Sequence, residues 1–168
     1  MQVDSYAFLP RSFKAMYEEP PRLEGESEEV WAPFDKRLAE STVALLSSAG
    51  LYLDGSQEAF DLDGERADPG WGDPAWRAIP RDTPQGALGM AHLHVNPADT
   101  LADHEVSLPL RTLDALVADG IVGASAPTHY GVMGYQRGGL EEWRTRTSVE
   151  IVERLRDEQV DALLLAPA

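Results

Sequence analysis

Residues 42–53, TVALLSSAGLYL, carry the pattern that sets the fold. Thr42 to Leu46 is a short apolar run bounded by polar residues and glycine. Continuous apolarity over that length suits a strand buried on both faces of a parallel sheet. Ser47, Ser48 and Gly50 then make a small-residue loop at the strand's carboxyl end. In open α/β sheets that end is the crevice side, where free backbone N–H groups hold an anion such as a carboxylate or phosphate. A tight turn without a ligand is the alternative. Neither GxGxxG nor GxxxxGK accompanies the loop, so no nucleotide is expected.

Downstream, Pro109 fits the start of a helix with Leu110, Leu113, Leu116 and Val117 on one face and Gly120 as its stop. Ile121 to Ala126 reads as a short strand. THYGVMGYQRGGL, residues 128–140, is glycine-rich, holds Tyr130 and Tyr135, and reads as a loop at the crevice. Thr147 and Glu150 form a capping box ahead of a helix carrying Val149, Val152 and Leu155. Val160 to Leu165 is the next buried strand. This alternation predicts, for residues 31–168, an α/β domain with a mainly parallel sheet and flanking helices, a Rossmann-like half. Residues 1–30 read as an N-terminal extension: a short helix with Phe13, Met16 and Tyr17 on one stripe, then an acidic, breaker-rich linker over 18–29. Residues 54–86 are dense in Asp, Gly and Pro, and the interleaved Trp71, Trp76 and Ile79 predict an ordered, packed loop.

Fourteen Lys and Arg against 29 Asp and Glu leave a net charge of −15 over 168 residues. A field of that sign repels nucleic-acid backbones and anionic membranes, and favours a cationic ligand or a basic partner. There is no cysteine, hence no disulfide, no thiolate nucleophile and no cysteine-bound metal. The first residues lack the pattern of a secretory signal, and no apolar run approaches the ~20 residues that span a bilayer. A soluble, cytoplasmic protein is the expectation.

All four histidines fall between Met90 and Tyr135. His92 and His94, two apart in a run that reads as a strand, would leave the sheet on one face. A polar loop with Asp99, Asp103, His104 and Glu105 follows, and His129 comes after the second short apolar segment. Imidazole is the commonest transition-metal ligand, so a His-x-His pair with a third histidine and a carboxylate would suit zinc, non-haem iron or copper. Without metal, one histidine would serve as general base with Asp103 orienting it. Ordinary polar residues hydrogen-bonded around a cleft are the alternative.

Arg77 and Arg81 offer guanidinium forks for a carboxylate. Arg77 with Ser48 would grip the acid end of a small, zwitterionic ligand, while Tyr130 or Trp71 accepts its cation. Otherwise Arg77 pairs with Asp73 on the loop.

Taken in order, TVALLSSAGLYL, GDPAWRAIP (72–80), AHLHVNPAD (91–99), SLPLRTLDALVADGIVGASAPTHYGVMGY (107–135) and VDALLLAPA (160–168) resemble the selenoprotein B subunits of glycine, sarcosine and betaine reductases and the related D-proline reductase subunit. The resemblance runs from about Trp31 to Ala168. It implies an enzyme whose selenocysteine or cysteine attacks a substrate α-carbon and cleaves its C–N bond, beside a partner subunit bearing a pyruvoyl group. The family's nucleophile motif directly follows the strand matching VDALLLAPA, so these 168 residues are not expected to perform that step alone. Two roles are open: a small-molecule, oxidoreductase-like enzyme that uses the histidine cluster in place of the nucleophile, or a non-catalytic subunit binding a ligand or partner. An apolar last strand needs cover under either, so a homo-oligomer or a partner subunit is expected.

Overall fold

The computed structural model describes residues 32–68, 71–93, 95–134, 136 and 140–168. The chain divides into two units, residues 1–35 and 36–168. Of the first, only residues 32–35 are described, and they carry no regular secondary structure. The helix expected around Phe13, Met16 and Tyr17, the 18–29 linker, His94 and Tyr135 lie outside the described residues.

In the second unit β1 (Thr42–Ser47) is the inner strand, because its alternate residues are apolar on both faces. Val43 and Leu45 join one buried cluster with β2 (Leu51–Leu53) and the helix α3 (Leu110–Ala118). Ala44 and Leu46 join another with Tyr130, Ile151, Leu155 and Leu163. Parallel to β1 run β7 (Ala162–Ala166) on one edge and, on the other, β5 (Ala124–Ser125) followed by β6 (Thr128–Val132). Outside β6 lies β3 (Trp76–Pro80), antiparallel to it. A separate two-stranded ribbon pairs β2 with β4 (Leu88–Met90). The molecule is thus α/β with a mainly parallel sheet and flanking helices, as the apolar runs predict.

The α3 helix, next after the short α2 (Ala98–Ala102), follows Pro109, and it ends at Gly120, whose φ of +70° is the left-handed conformation that glycine adopts without a Cβ clash. Ile121 N–H donates to Leu116 O and Gly120 N–H to Val117 O, the paired bonds of a Schellman stop.

Several elements differ from the sequence reading. Residues 128–132, read as loop, form β6, which is buried throughout. Its Gly131 is required by close approach: a Cβ there would drive into the Leu51 carbonyl oxygen. The 54–86 segment holds the helix α1 (Leu62–Ala67), capped by the Asp61 carboxylate, and β3. The Ile121 to Ala126 strand shrinks to Ala124–Ser125. Thr147 opens no helix. The helical run is continuous from α4 (Leu140–Glu142) through a π-turn (Trp143–Thr147) into α5 (Ser148–Asp157), and Thr147 Oγ1 donates to Pro74 O at 2.6 Å. The last strand is an edge among the described residues, with Leu164 and Leu165 55% and 62% exposed rather than buried.

Gly131→Ala should therefore cost at least the ~1–3 kcal/mol of an overpacked core and lower the melting temperature by several degrees. Gly55→Ala is the control for glycine replacement in general, since at φ +72° a Cβ meets nothing within 4 Å and only backbone strain is added.

Candidate functional site

The carboxyl ends of β1 and β6 meet the amino end of the helical run that follows β6. Leu46, Ser48 and Val132 from the strand ends, with Gln136, Trp143 and Arg144 from the segment after β6, line a mainly apolar cavity of about 390 Å³. That volume is within the range of small-molecule sites, and the carboxyl end of a parallel sheet is where such sites form. Trp143 and Arg144 belong to the π-turn, where each turn holds one residue more than in an α-helix; such insertions are frequent at functional positions. Among the described residues the Arg144 guanidinium has no ion pair and no hydrogen bond, whereas its neighbour Arg146 pairs with Glu142.

The SSAG loop borders this cavity but does not present free donors. Ser48 N–H donates to Ala166 O at 3.3 Å, Ala49 N–H to Ser47 Oγ at 3.3 Å, and Gly50 N–H to Val132 O at 2.8 Å. The anion grip expected from the backbone of Ser47, Ser48 and Gly50 is therefore corrected: the Ser48 and Gly50 N–H groups join strands, and that of Ala49 closes the loop. Gly50, at φ +70°, lets the chain turn against Ala91 and His92.

No family model matches the chain, and no solved structure matches it. Over 136 residues, 81% of its length, it is 31% identical to the D-proline reductase subunit gamma of Acetoanaerobium sticklandii. The chain belongs to the proline/glycine reductase family. It spans about half the length of that relative, 52%.

In this reductase-family chain the residues singled out from the sequence are dispersed. Arg77 lines a different cavity, of about 630 Å³, with Glu58, Phe60 and Asp73. Its fork is occupied: Nε donates to Glu58 O at 2.8 Å, the terminal nitrogens to Trp76 O and Ala59 O, and the guanidinium stacks 4.4 Å from the Phe60 ring. Asp73 lies 4.0 Å away. A joint hold of Arg77 and Ser48 on one carboxylate is thus replaced by Arg77 as a tie between loop and β3. Tyr130 is fully buried, 5.5 Å from the Trp76 ring, and cannot meet a ligand cation at the crevice. Burial, reinforced by Glu158 and opposed by Arg154, pushes its hydroxyl up to about 12.

The described histidines have separate partners. His92 lies beyond the end of β4, not within a strand, and its Nδ1 is 2.9 Å from Glu65 Oε1. Glu65, on α1, also accepts Leu93 N–H, and the pair is buried. The sequence reading missed Glu65 because its helix sits in a segment rich in loop-forming residues. His104 is buried in a short turn with neither ring nitrogen hydrogen-bonded among the described residues; burial pushes its pKa down, against the pull of Glu105. Asp103 serves Arg111, at 2.6 Å, rather than a histidine. Among the described residues no three His, Cys, Asp or Glu side chains stand where they could hold a metal ion.

His129 fills a break in the sheet. Between the pairs Val43–Ser125 and Leu46–Tyr130 the outer strand carries two more residues than β1, so Leu45 N–H has no backbone carbonyl opposite. His129 Nδ1 accepts it at 3.0 Å, and Nε2 lies 3.2 Å from Ser125 Oγ. Accepting at Nδ1 requires the neutral ring with its proton on Nε2. Burial, helped by Arg81 against Glu158, lowers its pKa from 6.5 to about 4. The unfolded chain then takes up the proton first as pH falls. The stabilisation is whole above pH 6.5 and is lost progressively toward pH 4, about 3 kcal/mol in all. Urea unfolding at pH 7, 5.5 and 4 should show the stability gap between wild type and His129→Asn narrowing by about that amount.

Proposed function

We propose that this chain forms the ligand-binding crevice of a proline/glycine-type reductase subunit, and that its ligand is a small zwitterionic carboxylate of the amino-acid class. The observation that carries this reading is Arg144, a cation unpaired among the described residues, on a mainly apolar cavity at the carboxyl ends of β1 and β6. A guanidinium makes a bidentate pair with a carboxylate, and Leu46, Val132 and Trp143 supply apolar walls for a small ring or methyl group. The relative's name specifies D-proline as that protein's substrate, which is a ligand of this kind.

The reducing group would come from elsewhere, since these 168 residues contain no cysteine. The resemblance puts the family's selenocysteine or cysteine directly after the strand matching β7. Here that point lies beside the crevice: Ala168 N–H donates to Ser48 Oγ at 2.9 Å, and Ser48 lines the cavity. A partner subunit, as the printed name of the relative suggests for that enzyme, completes the proposed arrangement. A histidine-centred mechanism has less support, because His129 is committed to the sheet and His92 to a buried carboxylate.

Calorimetry with small amino and N-methylamino acids, D-proline among them, tests the reading. At least one should bind, and Arg144→Gln should weaken it ten-fold or more, about 1.4 kcal/mol. Arg77→Lys should leave affinity unchanged while lowering the melting temperature. Absence of binding by every member at millimolar concentration, or an unchanged affinity in Arg144→Gln, overturns it.

A further inference from the structure

Two polar atoms on residues that line the crevice have no hydrogen-bond partner among the described residues. They are the Trp143 indole Nε1–H and the Gln136 Oε1, both closed off from solvent. The Gln136 amide is oriented without ambiguity, because its Nε2 donates to Asp73 O at 2.8 Å and to Met133 O at 3.0 Å. Its oxygen is therefore a fixed acceptor. The Trp143 nitrogen is a donor only. A buried donor or acceptor left unmade costs the free protein stability, and the cost is recovered only when a partner arrives.

We propose that Trp143 Nε1–H and Gln136 Oε1 are the ligand's polar contacts, without a partner among the described residues of the free protein and completed on binding. Trp143 donates to the carboxylate that Arg144, its neighbour in sequence and on the cavity, attracts. Gln136 Oε1 accepts from the ligand's N–H. One donor pair and one acceptor match a molecule with an acid and an amine on adjacent atoms, and they disfavour an acid without the N–H. Because both atoms are covered in the free protein, the helical run must shift to admit the ligand. The π-turn at Trp143–Thr147, with its extra residue, is the place in that run where such a shift disrupts the fewest regular bonds. This inference rests on the crevice being the ligand site.

The test uses the whole chain, with D-proline and its carbocyclic analogue cyclopentanecarboxylate as probes, read by calorimetry and thermal melting. Wild type should bind D-proline at least ten-fold more tightly than cyclopentanecarboxylate. Trp143→Phe removes the N–H and keeps most of the ring. It should raise the melting temperature of the free protein by a degree or more, yet weaken both probes about ten-fold. A tryptophan that only packs would lower stability or leave both readings alone. Gln136→Met should erase the discrimination between the two probes. An unchanged affinity or a lowered melting temperature in Trp143→Phe overturns this inference and leaves the crevice reading standing, as does equal binding of the two probes by wild type. If neither probe binds wild type, the crevice reading falls and this inference falls with it.

Discussion

The hydrogen bond from Leu45 N–H to His129 Nδ1 is the contact on which the sheet depends. β1 is paired on both edges, and its partner on one side changes from β5 to β6 with two residues to spare. A break there would leave a buried amide without an acceptor, at a cost of about 1–3 kcal/mol. A side-chain nitrogen closes the ladder instead. The consequence reaches the crevice, because the register set beyond the break places Tyr130 and Gly131 beside Leu46 and Ser47. Gly131 in turn admits the Leu51 backbone, and Gly50 admits Ala91. The wall of the crevice is therefore fixed by a chain of backbone contacts that no bulkier residue would allow.

That rigidity explains why the loop after β1 has no free backbone donor to offer an anion, and why the proposed anion contact falls to the helical run. Every N–H from Ser48 to Gly50 is already used to join β1 with β7, the loop itself and β6. Charge recognition must then come from a side chain that the sheet does not need. Arg144, carried by the π-turn, is not used by the sheet. Arg77 is, because three backbone carbonyls and a phenyl ring hold it against β3.

The parts legible in the sequence are those whose signal is local. Thr42–Ser47 was legible from uninterrupted apolarity, and α3 from its period and its glycine stop. β6 was hidden because His129 and Gly131 look like loop residues, although one mends a ladder and the other permits a close approach from a strand far away in sequence. β3 and α1 were hidden in a stretch whose fifteen Asp, Gly and Pro residues outnumber its nine apolar ones. For the site, the sequence points to the carboxyl end of β1, where a cavity lies, but it selects residues by chemical type. Arg144 carries no motif, and its position follows from a π-turn that shifts the helical phase by one residue, which no periodicity of 3.6 foretells. Likewise Glu65 reaches His92 only through tertiary packing.

The overall charge bears on which ligand can enter. A net charge of −15 gives a long-range field that lowers the local concentration of a simple anion, and salt screens that field only beyond about 8–10 Å. The pull of Arg144, itself exposed, acts only at contact distance, beside mainly apolar walls. A free carboxylate anion meets the unfavourable field first and the favourable contact only at the end. A zwitterion has no net charge, so it crosses the outer field without penalty and still presents its acid to the guanidinium. Under the proposed reading, an acidic surface around the exposed Arg144 would favour neutral molecules with a carboxylate end.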